Sequence, residues 1–208
     1  MPERYDAVLV HSYMSPYNPD RPALSLRGYM QMAAVSSLYK QGKVDKIFLG
    51  IGHVWGEEKP TLSEVMRENL IKRSVSPNDI VTPDDIETEL GTSDIGDTKG
   101  EVKLFLNLAK RRGWGNIASL ANKTHLERVA IYQQAGVDLI STENVLGAEY
   151  NRPHYVRFLE KFANSSAEKK FGVREAIVRT LSRFGLDGLL SRAARSPIVQ
   201  KLKLPFDR

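Results

Sequence analysis

The sequence contains no cysteine in its 208 residues. This absence excludes disulfides, thiol nucleophiles and zinc sites with cysteine ligands, and it is typical of a reducing compartment. The chain also lacks the glycine motifs of P-loop nucleoside triphosphatases, standard dinucleotide-binding domains and serine hydrolases with a nucleophile elbow. Since no apolar run is long enough for a signal sequence or a membrane span, we expect a cytoplasmic protein.

Basic residues are scarce before residue 150 and abundant after it. Residues 1–149 carry 17 Lys+Arg and 20 Asp+Glu, for a net charge of −3, whereas residues 150–208 carry 13 and 5, for a net charge of +8. A nucleic-acid partner is not expected, because phosphate contacts would need Lys and Arg clustered in the front part. We divide the chain into an α/β domain at 1–150 and a basic helical extension at 151–208.

The hydrophobic pattern before residue 150 alternates between short apolar runs and stretches with helical spacing. Five short runs, rich in branched apolar residues, are predicted as strands: Asp6–His11, Asp45–Gly50, Asp79–Val81, Asn116–Ala121 and Asp138–Ser141. Such alternation predicts a three-layer α/β fold in which helices cover both faces of a mostly parallel five-stranded sheet, followed by a C-terminal helical extension. Gly42, Gly113 and Gly136 each follow a helical stripe and are predicted as left-handed caps.

Three predicted helices open on a Thr with Glu three residues later, the capping-box pattern. The Thr–Glu pairs are Thr61 with Glu64, Thr98 with Glu101, and Thr124 with Glu127. In a parallel sheet these helix starts share the carboxyl edge, where free backbone N–H groups and helix dipoles favour a bound anion. We therefore place the ligand site at this edge.

Three of the four histidines follow predicted strands at the same edge, at positions 11, 53 and 125. Histidine can act there as acid, base, ligand or hydrogen-bond donor, although a polar loop edge also holds histidines with no function. Glu64 and Glu101 have two interpretations, since a third-position Glu either bonds back to its cap or faces the cleft. Arg27 and Arg128 each have a planar guanidinium group that can form two parallel hydrogen bonds with a carboxylate or a phosphate.

An ordered set of short segments resembles the YdcF-like domain family. The segments are Pro22–Arg27, Leu49–Gly52, Ser63–Met66, Asp97–Glu101 and Lys123–Arg128, and they span roughly residues 6 to 141. The resemblance implies a Rossmann-like sheet with a cleft lined by these positions. It also implies S-adenosylmethionine as a candidate ligand, because YdcF-type members have been linked to it, and a role in the cell envelope, because other members have one.

Residues and resemblance together define the candidate site. The candidate catalytic residues are His125 and Glu101, and the candidate ligand-binding residues are His11, Arg27, Gly50, Gly52, Ser63, Glu64, Thr98 and Arg128. The leading hypothesis is binding of a small, partly anionic, nucleotide-like metabolite. Two alternatives stay open. One is an enzyme that transfers or hydrolyses a phosphoryl or glycosyl group, with a metal held by the histidines and a carboxylate; the other is a non-catalytic envelope factor.

The extension is predicted to be helical over 152–200, with an apolar face through Val173, Ala176 and Ile177. Three interpretations of this helix stay open: packing on the core with the basic face in solvent, docking on an anionic membrane surface, and binding of a partner protein. Neither the oligomeric state nor the identity of the reaction follows from the sequence.

Overall fold

The computed structural model describes residues 3–11, 24–50, 60–82, 98–132, 136–149 and 164–183, with single positions at 85, 87, 89, 157, 159, 161 and 162. These residues form a five-stranded sheet in which every pair of neighbours is parallel. The strands are β1 (Tyr5–Val10), β2 (Val44–Leu49), β3 (Ile80–Val81), β4 (Ile117–Ala121) and β5 (Val137–Ser141). Each begins and ends within one residue of its predicted bounds.

The strand order is β3-β2-β1-β4-β5, so the first strand in the sequence is the central one. Val8 lies beside Ile47 of β2 on one side and Ala118 of β4 on the other. Central strands of a parallel sheet are buried on both faces, which explains the nearly continuous apolar sequence of β1. The α/β fold class predicted from the alternating pattern is confirmed.

Helices cover both faces of the sheet. Their bounds are α1 (Leu26–Lys40), α2 (Leu62–Lys72), α3 (Thr98–Arg112), α4 (Lys123–Tyr132), α5 (Thr142–Glu149) and α6 (Ser166–Arg183). One core cluster joins the sheet to α1, α2 and α5, and a second joins the opposite face to α3. None of the described helices is long and apolar enough to cross a bilayer.

The glycines at the amino edge of the sheet adopt the predicted conformation. Gly42 and Gly113, which follow α1 and α3, have φ values of 69° and 68°. Gly136, which precedes β5, has a φ of 95°. Only glycine adopts this region at no steric cost, so these positions end the helices sharply and turn the chain into the next strand.

The C-terminal part of the described chain departs from two expectations. A helix that the pattern did not predict, α5, follows β5 directly. In α6 the predicted apolar face is turned outward, since Val173 and Ile177 are 63% and 57% exposed, whereas Glu175 is buried. Of the three interpretations of this helix, packing of its apolar face on the core does not hold for Val173 and Ile177, and the helix contacts α4 through polar side chains instead. The tail that the membrane hypothesis needs, residues 184–208, lies outside the described residues.

Candidate functional site

The carboxyl edge of the sheet brings together residues that lie far apart in the sequence. His11 follows β1, Gly50 follows β2 and Asn122 follows β4. The strand order reverses between β1 and β4, which is the point where open α/β sheets bind their ligands. His11 N–H donates to the Leu120 carbonyl at 3.0 Å, so the β1–β4 ladder continues as far as this residue.

His11 and Glu101 form a buried pair at this switch point. The Nδ1 atom of His11 lies 2.7 Å from Glu101 Oε2, and the two side chains are 0% and 2% exposed. Ala7 and Leu9 belong to the core cluster under α3, and the two-residue period of the strand turns His11 to the same side. Glu101 is on the first turn of α3, where the helix dipole stabilises a negative charge.

Gly50 makes room for this carboxylate. A Cβ atom at position 50 would lie 3.0 Å from both Cγ and Oε1 of Glu101, closer than side-chain carbons normally approach. The glycine that ends β2 is therefore required by a close approach of Glu101. Gly50, which was predicted to bind the ligand, thus lets Glu101 reach His11; its role in ligand binding stays a prediction.

The pair is incompletely satisfied. Among the described residues, neither His11 Nε2 nor Glu101 Oε1 has a hydrogen-bond partner, and both atoms are buried. A buried polar atom without a partner costs about 1 to 3 kcal/mol, and such atoms in native proteins mark bound water, ions, ligands or catalytic groups. This combination distinguishes the pair from an ordinary buried ion pair.

His125, on α4, lies next to His11 but has a different environment. The two ring centroids are 5.6 Å apart in an edge-to-face arrangement. His125 Nδ1 lies 3.0 Å from Glu175 Oε2 of α6 and 3.0 Å from Arg128 Nη2. Arg128 Nε lies 3.0 Å from the same Glu175 oxygen, so a carboxylate, an imidazole and a guanidinium form one cluster.

Burial lowers the pKa of His125 from its ordinary value of 6.5 to about 4. Loss of solvent is the largest cause; the hydrogen bond with Glu175 opposes it, while the nearby Arg128 and His11 act in the same direction as burial. His125 is therefore neutral at pH 7. A neutral Nδ1 either donates to Glu175 or accepts from Arg128, so each tautomer of the ring satisfies a different neighbour.

The helix α6 lies against α4 at the cluster. A Cβ at Gly172 of α6 would be 3.6 Å from Thr124 of α4, and Arg179 of α6 pairs with Glu127 of α4. Glu175 between them is 6% exposed. The extension therefore supplies a buried side chain to the site, a role that the sequence did not predict.

The start of α4 differs from the predicted capping box. The helix begins at Lys123, one residue before Thr124, and the Asn122 carbonyl accepts from the N–H groups of His125 and Leu126. Asn122 Nδ2 donates to Glu143 Oε1 at 3.0 Å, and Glu143 Oε2 accepts from Lys123 N–H at 2.9 Å. The box at Thr124 was wrong because Asn122, at the strand end, already begins the helix.

The other two boxes have opposite outcomes. At α2 the predicted box is confirmed, since Thr61 N–H donates to Glu64 Oε2 at 2.6 Å and Glu64 N–H donates to Thr61 Oγ1 at 3.1 Å. At α3 the prediction was wrong, because Glu101 pairs with His11 and does not return to Thr98. Glu64 thus has the structural role, with an exposed side chain, whereas Glu101 is buried against His11.

The remaining predicted site residues are spread around the edge. Ser63 is buried, with its hydroxyl 3.0 Å from that of Thr61, and Thr98 is buried at the start of α3. The Arg27 guanidinium lies 5.9 Å from the centre of the Phe162 ring. Gly52 and His53 lie outside the described residues.

Within the described part of the chain, no three His, Asp or Glu side chains are grouped so that they could hold a metal ion. In comparisons with known proteins, no family model, no curated protein and no solved structure matches this chain.

Proposed function

We propose that this chain is a YdcF-like protein that binds a small nucleotide-like or partly anionic metabolite at the carboxyl edge of its sheet, with S-adenosylmethionine as the first candidate. The observation that carries this proposal is the buried pair of His11 and Glu101, each with one polar atom that has no partner among the described residues. A ligand that pairs with these atoms removes their desolvation cost.

The surroundings of the pair support a ligand with both polar and anionic groups. α3 and α4 both begin at this edge of the sheet, and their dipoles attract negative charge. Arg128 lies at the same edge, but Glu175 already compensates its charge. The anionic part of the metabolite therefore depends mainly on the helix starts.

A panel of S-adenosylmethionine, nucleotides and sugar phosphates, screened by thermal unfolding, tests the proposal. A ligand at a hundred times its dissociation constant stabilises the native state by about 2.7 kcal/mol. The Glu101→Gln variant should lose most of that stabilisation, and the Glu64→Gln variant should keep it, because Glu64 is exposed and engaged at the α2 cap. The proposal fails if no compound stabilises the protein, or if both variants respond alike.

A second function, transfer or hydrolysis of a phosphoryl or glycosyl group, is favoured by one specific observation. A histidine whose Nδ1 is held by a carboxylate and whose Nε2 has no partner has the arrangement of a general base. In this version His11 accepts the proton and Glu101 orients the ring. Hydrolysis of phosphate monoesters and aryl glycosides should then be lost in His11→Asn and kept in Glu64→Gln; no turnover by the native chain would reject this candidate.

A further inference from the structure

The buried atoms at this edge that have no hydrogen-bond partner among the described residues include His11 Nε2, Glu101 Oε1 and Asn122 Oδ1. Arg128 Nε also makes no hydrogen bond, but it lies 3.0 Å from the Glu175 carboxylate. For Glu101 and Asn122, the hydrogen bonds that the rest of the side chain already makes decide whether the unpartnered atom is a donor or an acceptor. One proton lies between His11 Nδ1 and Glu101 Oε2, because two lone pairs would repel at 2.7 Å. Whichever atom holds that proton, Glu101 Oε1 keeps only lone pairs and accepts.

Asn122 is fixed in the same way. Its Nδ2 atom donates to Glu143 Oε1 at 3.0 Å, and a carboxylate oxygen can only accept. The amide cannot be reversed without placing two acceptors against each other, so Oδ1 is the unpartnered atom.

The parallel register places His11 and Asn122 at the ends of adjacent strands, while Glu101 Oε1 lies against Gly50, at the end of the strand on the other side of β1. Val10 lies beside Leu120 in the β1–β4 ladder, and His11 N–H continues the ladder to the Leu120 carbonyl. His11 and Asn122 therefore leave adjacent strands within two residues of the same level. Glu101 reaches this level from α3.

The charges of the described side chains around this level are mostly negative. Glu101, Glu143 and Glu175 face it from α3, α5 and α6, and the positive charge of Arg128 is matched by Glu175. A buried anion next to these carboxylates would be repelled in a low dielectric, whereas a cationic or neutral donor would be stabilised.

We infer that the metabolite group that pairs with Glu101 Oε1, beside His11, is a hydrogen-bond donor, either an ammonium or a sugar hydroxyl, and not a phosphate. This inference rests on the proposed function and narrows it, because it assigns the donor part of the metabolite to the pair and leaves its anionic part to the helix starts.

Calorimetric titrations with matched probes test the inference. Adenosine against 2′,3′-dideoxyadenosine reports on the sugar hydroxyls, and S-adenosylmethionine against 5′-methylthioadenosine reports on the amino-acid end, including its ammonium. Adenosine monophosphate and inorganic phosphate are the anionic probes. We expect removal of the correct donor group to weaken binding about 10- to 100-fold, as for loss of a hydrogen bond to a charged partner.

The Glu101→Gln variant inverts the polarity of the site, because its amide replaces the free acceptor with a donor. The variant should bind the donor probe about 10- to 100-fold more weakly than the native chain does, and it should bind phosphate with the same or higher affinity. Glu64→Gln, the same chemical change at the exposed start of α2, should alter neither. Circular dichroism and the retained affinity for an anionic probe show that the variant is folded.

The outcomes separate the two claims. If inorganic phosphate binds the native chain but Glu101→Gln weakens its binding, the pair holds the anion, so the inference is wrong and the proposed function stands. If the donor probes bind and Glu101→Gln leaves them unchanged, the inference is also wrong. If no probe binds the native chain, the proposed function fails and the inference fails with it.

Discussion

The two histidines at the switch point are neighbours with opposite local chemistry. His11 has one carboxylate partner, and its second ring nitrogen is buried without a partner among the described residues. His125, whose ring centre is 5.6 Å away, is enclosed by a carboxylate and a guanidinium. Two neighbouring histidines can thus differ completely in the hydrogen-bonding capacity that their surroundings leave for a ligand.

The difference separates a group that holds the structure from one that is available to a ligand. A buried polar cluster whose charges are matched, such as that of His125, fixes the position of the elements that carry it. Buried atoms without partners reduce stability, and native proteins keep such atoms mainly at functional sites. We therefore expect substitutions at the His125 cluster to change stability most, and those at the His11 pair to change binding most.

The largest effect is expected from Glu175→Gln. Removing this charge leaves Arg128 without its anionic partner, although the amide oxygen can still accept one hydrogen bond, and breaking a buried pair in this way costs about 3 to 5 kcal/mol. Urea unfolding measures the loss, and amide hydrogen exchange over residues 166–183 reports whether α6 separates from α4.

Arg179→Ala is the matched control for Glu175→Gln, because Arg179 also joins α6 to α4. Its partner Glu127 is 64% exposed, so the loss should stay below about 1 kcal/mol. Equal losses in the two variants would contradict the view that the buried cluster holds the helix.

The pH dependence of His125 comes next. The pKa of this residue is 6.5 when unfolded and about 4 when folded, so the unfolded chain binds the proton more tightly. Its contribution to stability is complete above pH 6.5 and is lost as the pH falls to 4, by about 3 kcal/mol in total. As the pH falls over this range, the free energy of unfolding measured with denaturant should decrease more steeply for the native chain than for His125→Gln. An NMR titration of the His125 ring checks the pKa directly, and a value near 6.5 would refute the expectation.

Gly50→Ala tests the close approach of Glu101 to the end of β2. The added methyl would overlap the Glu101 side chain, and overpacking of this kind costs about 1 to 3 kcal/mol. Ligand binding should weaken as well, because the carboxylate must move away from His11. Gly147→Ala, in α5, is the control: a Cβ there meets nothing within 4 Å, so the helix should gain about 0.5 to 1 kcal/mol. A Gly50→Ala variant as stable as the native chain would argue against the contact.

The smallest change in stability is expected from Glu101→Gln. The amide oxygen still accepts from His11 Nδ1, while a buried charge with an unpartnered oxygen disappears. Opposing effects of this size leave the free energy of unfolding within about 1 kcal/mol of the native value. Urea unfolding of the Glu101→Gln and Glu175→Gln variants measures both free energies of unfolding. If Glu101→Gln loses as much stability as Glu175→Gln, the His11 pair is also structural.

The sequence was sufficient to predict the strands and the edge at which the site lies. Branched apolar runs such as Tyr5–Val10 have few alternatives to a buried strand, and Gly42 and Gly113 mark the opposite edge through their positive φ. These features depend on residues that are close in the sequence, which is why local patterns were informative.

Partners distant in the sequence were not predictable in this way. The pattern of Thr with Glu three residues later is the same at Thr61 and Thr98, yet one Glu turns to the backbone and the other to a histidine 90 positions away. One available signal was the spacing of Glu101 with Phe105 and Leu108, which places this Glu on the buried stripe of α3. Glu175 gave a weaker signal, a single acid in the middle of a basic amphipathic helix.

The central position of the first strand affects how the protein is made. During synthesis β1 emerges first, but its second neighbour, β4, ends only at residue 121, so one side of the strand waits for more than a hundred further residues. Exposed strand edges of this kind favour association with other chains while the polypeptide is still on the ribosome. The His125 cluster is completed later still, because the carboxylate next to His125 belongs to residue 175. Nascent chains shorter than this should have the sheet without a finished site.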